Sequence, residues 1–145
     1  MPEIRNRSAF HEYFIDDKYE AGLVLQGTEV KSIRGGKVSF NDSYCLAHKG
    51  EIWLKSMHIA EYEHGNLNNH EPLRDRKLLL QKKEIKKIEG KLREKGLTLV
   101  PLRIYFNEKG LAKIEIGLAR GKKLHDKRET IKQKDVEREM KRYLK

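Results

Sequence analysis

Apolar and polar residues alternate along several short stretches of this 145-residue chain and fall at helical spacing in others. Tyr19, Ala21, Leu23 and Leu25 take every second position, with Glu20, Gly22 and Val24 on the other face, the period of a half-buried strand. Phe10–Ile15 is a β-prone run that stops at Asp16-Asp17. Ser43–Ala47 and Glu51–Leu54 flank Lys49-Gly50, a hairpin signal. Leu97–Phe106 and Leu111–Leu118 form a second hairpin around Asn107–Gly110, with Ala112, Ile114, Ile116 and Leu118 toward the core and Lys113 and Glu115 outward. Pro101 inside that run predicts an edge or a bulge. Gly27-Thr28 opens a short helix with Val30 and Ile33 as its apolar pair, and Gly35-Gly36 closes it as C-cap glycines do. Leu78, Ile85, Ile88 and Leu92 recur at helical spacing, predicting an amphipathic helix that ends at Gly96. Residues 60–75 are polar and turn-rich and read as a long loop; residues 1–7 read as a loose arm.

The pattern therefore predicts a mainly β protein of about six strands, one amphipathic helix and one short helix. No βαβ repeat is visible, so the sheet is expected to be antiparallel. An OB-like barrel, closed or partly open, suits this order of elements.

Charge divides the chain in two. Residues 1–120 hold nearly all the periodic apolar positions and form the expected body. Residues 121–145 read GKKLHDKRETIKQKDVEREMKRYLK, with ten basic and five acidic residues, so half of the chain's net charge of +10 sits in this tail. Six apolar residues in 25 cannot repay the entropy of ordering it alone, so the tail is expected to be disordered when free and to fold on a polyanion. Val136, Met140, Tyr143 and Leu144 form a narrow helical stripe that a bound state could use. A pI near 9.6 points to an anionic partner. The tail lacks a broad apolar face, which favours nucleic acid over membrane. Cys45 is the only cysteine; it fits a strand in the core and a reducing compartment. The start of the chain has no apolar signal-peptide region and no run could span a membrane, so a cytoplasmic location is expected.

Candidate chemistry is sparse. None of the six histidines has metal-ligand spacing, and His64 and His70 read as parts of a solvated loop. Gly35–Ser39 lacks the first glycine of a phosphate-binding loop. No nucleophile, paired carboxylate or metal cluster appears, so no catalytic residue, metal or cofactor is expected. What remains is basic and outward-facing: Arg74, Arg76 and Lys77 before Leu78, and lysines along the helix after it. Glu20 and Gly22 share one strand face. Gly22 would let an RNA backbone come close, and Glu20 would accept from a base amino group or a 2′-hydroxyl, or orient a lysine.

Five separate runs resemble one family. His11–Ile15 (HEYFI), Tyr19–Gly22 (YEAG), Leu25–Ser32 (LQGTEVKS), Arg76–Leu80 (RKLLL) and Gly117–Arg128 (GLARGKKLHDKR) are similar, in order, to the SsrA-binding protein (SmpB) family, and the resemblance covers residues 5–145. It implies an OB-like barrel that binds the tRNA-like domain of transfer-messenger RNA (tmRNA) and rescues stalled ribosomes by trans-translation. The implied RNA face comprises His11, Glu20, Gly22, Leu79 and Lys113, with His11 stacking on a base, Leu79 packing on one and Lys113 neutralising phosphate. The implied ribosome-binding tail comprises Gly121, Lys122, Lys123, His125, Asp126, Lys127, Arg128, Ile131, Lys132, Lys134 and Val136. It would enter the empty decoding centre and mRNA channel of the small subunit and become helical there. Val136 stands where some family members carry a Trp. The resemblance implies a non-enzymatic monomer without a membrane partner. A general single-stranded RNA or ribosome-associated OB module is the alternative that composition alone leaves open.

Overall fold

The computed structural model describes residues 3–65, 68–94 and 96–122. Nine strands and three helices follow in the order β1 (Ile4–Arg5), α1 (Arg7–Glu12), β2 (Tyr13–Leu23), α2 (Gly27–Arg34), β3 (Val38–Ser39), β4 (Tyr44–His48), β5 (Glu51–Lys55), β6 (His58–Ile59), β7 (Arg76–Leu79), α3 (Lys82–Leu92), β8 (Leu97–Phe106) and β9 (Ala112–Gly121). Seven strands make one sheet in the order β1-β8-β9-β2-β7-β5-β4, and β3 and β6 pair separately. Every pairing is antiparallel, as the absence of βαβ units requires.

The sheet curls until β4 approaches β8, and a single core fills the curl. Ala21 from β2, Ile52 and Leu54 from β5, Leu78 from β7, Ile104 from β8 and Ile114, Ile116 and Leu118 from β9 meet there. Strict alternation delivers them: on β9 these three isoleucine and leucine side chains are fully buried while Lys113 and Glu115 stay on the other face. The helix α3 closes the core with Ile88, flanked by Ile85 and Leu92. Cys45 lies buried on β4, where burial pushes its thiol pKa up and leaves it inert.

A second, smaller core lies on the opposite face at one end of the sheet. There α1 covers Val100, Leu102 and Ala119 with Ala9, flanked by Phe10, Tyr13 and Ile15. Two bulges switch the face that points inward: the register shifts between Ile15 and Asp17 on β2, and between Pro101 and Arg103 on β8. The proline thus sits at a bulge, as its missing N–H demands. Gly117 lets the layers meet, since a Cβ there would lie 2.9 Å from Leu102 Cδ1 and 3.0 Å from Ile15 Cγ2.

Four expectations are corrected. Residues 4–5 are not a loose arm: they pair with β8, and Asn6 is buried, donating to Pro101 O at 2.8 Å and capping α1. Phe10 belongs to α1 rather than to a strand, because the Asn6 cap starts a helix too short to show a period. The strand does not stop at Asp16-Asp17 but bulges there and continues to Leu23. Leu78 lies on β7, not on the long helix; α3 begins only after Gln81, whose N–H donates to Glu84 at 3.0 Å.

Two turn readings hold. Lys49 and Gly50 turn the β4–β5 hairpin with φ of 52° and 76°, the positive pair that a two-residue turn of this twist needs. Gly36 (φ 75°) ends α2 with Gly36 N–H on Ile33 O and Lys37 N–H on Ser32 O, a Schellman closure. Among the described residues no helix is long and apolar enough to cross a membrane.

Candidate nucleic-acid interface

On the face opposite the main core, α1 covers one end of β8 and β9; the candidate site lies at the other end, where β9, β2 and β7 run side by side. The register sets Gly22 directly between Lys113 on β9 and Leu79 on β7. A Cβ on Gly22 would lie 3.5 Å from Leu79 Cβ and 3.9 Å from Lys113 Nζ. The glycine therefore opens a notch with bare backbone as its floor, an ammonium on one wall and an isobutyl group on the other. Leu79 is 52% exposed although it neighbours a well-filled core. The notch continues into a cleft of about 440 Å³ reaching Val30 and Leu111. Lys113 makes no ion pair among the described residues, so its charge is available to a ligand.

Beside the notch, Glu20 stands opposite Glu115. Two carboxylates in that relation repel unless separated. Arg103 Nε donates to Glu115 Oε1 at 3.1 Å and stacks on the Tyr105 ring at 4.2 Å, and the Tyr105 hydroxyl donates to Glu20. Partial burial, then the Glu20 hydrogen bond and charge, push the Tyr105 pKa up to about 12, so the phenol stays a donor. Of the roles expected for Glu20, orienting a lysine finds no contact here; its partner is Tyr105. Sequence reading missed Tyr105 and Arg103, although their outward positions on β8 were available from the alternation.

His11 is elsewhere. It lies exposed on α1, just before Tyr13, which pairs with Gly121 at the far end of the β2–β9 ladder. Nine residues of strand separate that end from Gly22, roughly 30 Å at about 3.3 Å per residue. Around His11 gather Arg5, Arg7 and Phe10, lining a depression of about 280 Å³. Arg5 stacks on Phe10 at 4.7 Å, and Lys122 Nζ donates to Phe10 O at 3.3 Å while lying 5.1 Å from the Phe14 ring. The expected RNA face is thus two patches: Glu20, Gly22, Leu79 and Lys113 in one, His11 in the other. Gly121 and Lys122 root the tail on the second patch. Lys123, His125, Asp126, Lys127, Arg128, Ile131, Lys132, Lys134 and Val136 lie outside the described residues. Among the described residues no group of His, Cys, Asp and Glu could hold a metal ion.

Comparison with known proteins gives the family. The family model described as SmpB protein matches residues 3–145. The chain belongs to the SmpB family. It is 59% identical over 135 residues to the SsrA-binding protein of Geobacter metallireducens, covering 93% of this chain and 88% of that protein. With the SsrA-binding protein of Bacillus cytotoxicus identity is 57% over 138 residues, covering 95% and 88%. A solved chain described as "tmRNA-SmpB: a journey to the center of the bacterial ribosome" matches with a TM-score of 0.73 and 54% identity, covering 85% of this chain and 86% of that one.

Two of the runs that carry the SmpB resemblance contain scaffold rather than surface. Arg76, expected outward, is fully buried. Its Nε donates to Glu29 Oε2 at 2.7 Å, and its other nitrogens to Met57 O at 2.6 Å and Pro72 O at 3.0 Å. Arg74 adds a 2.6 Å bond to Glu29 Oε1 and one to Val24 O at 3.1 Å. Burial alone would raise the Glu29 pKa; hydrogen bonds from Arg74, the Gln26 N–H and Arg76 outweigh it and hold the carboxyl below its usual range. Burial lowers the Arg76 pKa against the pull of Glu29. His70, read as solvated, is also buried, with Nδ1 at 2.8 Å from Thr28 Oγ1 and Nε2 at 2.8 Å from Ile59 O. These SmpB-type residues tie α2 and the 60–75 loop to β7 and so fix the strand that presents Leu79.

Proposed function

We propose that this chain is a non-enzymatic RNA-binding adaptor that grips the tRNA-like domain of tmRNA and delivers it to stalled ribosomes for trans-translation. The observation that carries the reading is the Gly22 notch between Lys113 and Leu79. A phosphate can approach the bare backbone, where no side chain stands in its way, and Lys113 supplies the countercharge. Leu79 offers an apolar surface to an unstacked base. Glu20, held by Tyr105, sorts base or 2′-hydroxyl donors from phosphates, which it repels. In this reading residues 1–120 form the RNA-binding body. Residues 121–145 supply charge that occupies the empty decoding centre and mRNA channel, and the His11 patch stands at the root of that tail. The family membership and the SmpB–tmRNA likeness support the assignment.

The test is competition binding. The full chain should hold an RNA fragment comprising the tRNA-like domain at least about a hundredfold tighter than unstructured RNA of equal length, a gap of ~2.7 kcal/mol. Equal affinity for both would replace the adaptor reading with a general RNA-binding one.

A further inference from the structure

The outer face of the sheet does not end at Leu79. β7 pairs with β5 and β5 with β4, and the registers set Lys77 opposite Trp53 and Trp53 opposite Leu46. On the β2 side the row is continued by Val24, whose N–H donates to Lys77 O at 3.2 Å. Val24 is 44% and Leu46 40% exposed. Trp53, half-buried between them, is the only tryptophan of the chain. The Glu51 carboxylate, which pairs with Lys77, is on the same strand two residues away. A groove of about 340 Å³ runs along the ring, with Leu46, His48 and Lys49 among its walls.

We propose that Trp53, backed by Leu46, is a further base-stacking site on the same RNA surface, taking an unpaired base from the strand whose backbone crosses the Gly22 notch. This rests on the RNA-binding reading above and extends it by two strands. The charges around the ring favour a base over a phosphate. Lys77 is paired with Glu51 at 2.8 Å and Lys55 with Asp75 at 2.8 Å, so these two cations beside the indole already have countercharges. What is left is a flat, electron-rich ring flanked by paired charges, which is the chemistry of a stacking platform. Position agrees: Leu79 lies two residues from Lys77 on one strand, so Leu79 and Trp53 are diagonal neighbours at about 7–8 Å. One strand of RNA can touch both. His48 and Lys49 at the hairpin tip stand at the outer end of the groove.

The single tryptophan makes the test direct. The full chain is titrated with the tRNA-like domain fragment while tryptophan emission and gel retardation are read from the same samples. The emission should be quenched saturably along the binding curve. Trp53→Leu should weaken binding about tenfold, and Trp53→Phe should recover most of the loss, because stacking needs a ring. Retardation with unchanged emission overturns the stacking site while leaving the RNA-binding reading intact. So does quenching without any loss of affinity in Trp53→Leu, and so does emission that responds only to added protein partners. Absence of retardation removes the RNA-binding reading itself. If Trp53→Leu fails to fold, the emission of the unaltered chain decides.

Discussion

The same substitution at two glycines of the β2–β9 ladder should produce opposite phenotypes. At Gly22 a methyl group meets only ordinary contacts, 3.5 Å to Leu79 Cβ, 3.6 Å to Leu79 Cδ1 and 3.9 Å to Lys113 Nζ. The backbone there is extended strand, so alanine removes unfolded-state freedom at no steric cost. Gly22→Ala should be neutral or stabilise by about 0.4–1 kcal/mol, a rise in Tm of a few degrees at roughly 4 °C per kcal/mol for a body of this size. Yet the methyl lifts the floor of the notch, and an RNA backbone seated on it must withdraw. Binding of the tRNA-like domain should fall about tenfold or more, ~1.4 kcal/mol, and further in Gly22→Val. At Gly117 the added Cβ would come within 2.9 Å of Leu102 Cδ1 and 3.0 Å of Ile15 Cγ2 inside the smaller core. Gly117→Ala should cost about 1–3 kcal/mol of stability while the folded fraction binds RNA normally. Thermal melting and filter binding on the two variants separate the cases. If Gly22→Val bound RNA within about twofold of the unaltered chain, ~0.4 kcal/mol, close approach of RNA at the notch would be wrong, whatever its stability.

Three further outcomes are expected. Lys113→Ala should lower the log–log salt slope of RNA binding by about 0.9, one phosphate's share of counterion release; an unchanged slope would take Lys113 out of the interface. Glu29→Gln leaves Arg76 charged and unpaired in the interior and should cost about 3–5 kcal/mol by denaturant unfolding, whereas replacing both partners by methionine should cost less than the sum of the single changes. Because the folded-state pKa of Glu29 is depressed, its contribution is present above the unfolded carboxylate pKa and is lost as pH falls through the lower folded value; melting scans below about pH 4 should show that loss, and Glu29→Gln should lack it. A chain ending at Lys122 keeps every described residue of both cores and should bind the tRNA-like domain within about tenfold, ~1.4 kcal/mol, but should fail to support tagging on stalled ribosomes in a reconstituted translation assay.

How far the fold could be read in advance depended on whether its signal was local. Ala21, Ile114, Ile116 and Leu118 are core residues announced by strict alternation, and the Lys49-Gly50 turn is announced by its own residues. The helix α1 is not legible locally, because six residues show no period and Phe10 and Tyr13 favour strands. The spacing of Leu78 to Ile85 is helical by coincidence, which joins it in sequence to the long helix. Burial of Arg76 could not be seen locally: it depends on Glu29, 47 residues away. The candidate site divides the same way. The outward face of Glu20 and Gly22 follows from alternation, but only the pairing of β2 with both β7 and β9 brings Leu79 and Lys113 to Gly22. Tyr105 meets Glu20 across 85 residues of sequence, and nothing near either residue announces the other. Only the family motif groups His11 with the notch, and the ladder sets it at the other end.

That ladder works as a strut. From Tyr13 opposite Gly121 to Gly22 opposite Lys113, β2 and β9 run side by side, and each end bears one of the two patches. Whatever is held in the notch stands at a set offset and bearing from the root of the basic segment, with no hinge between them. The bulge after Ile15 is the single joint, and it sets the bearing by bending the strut once. Adding two residues to each strand would keep every side chain on its face and both patches intact, yet move one patch about 7 Å away from the other. Such a chain would be faultless at either end and wrong in its reach.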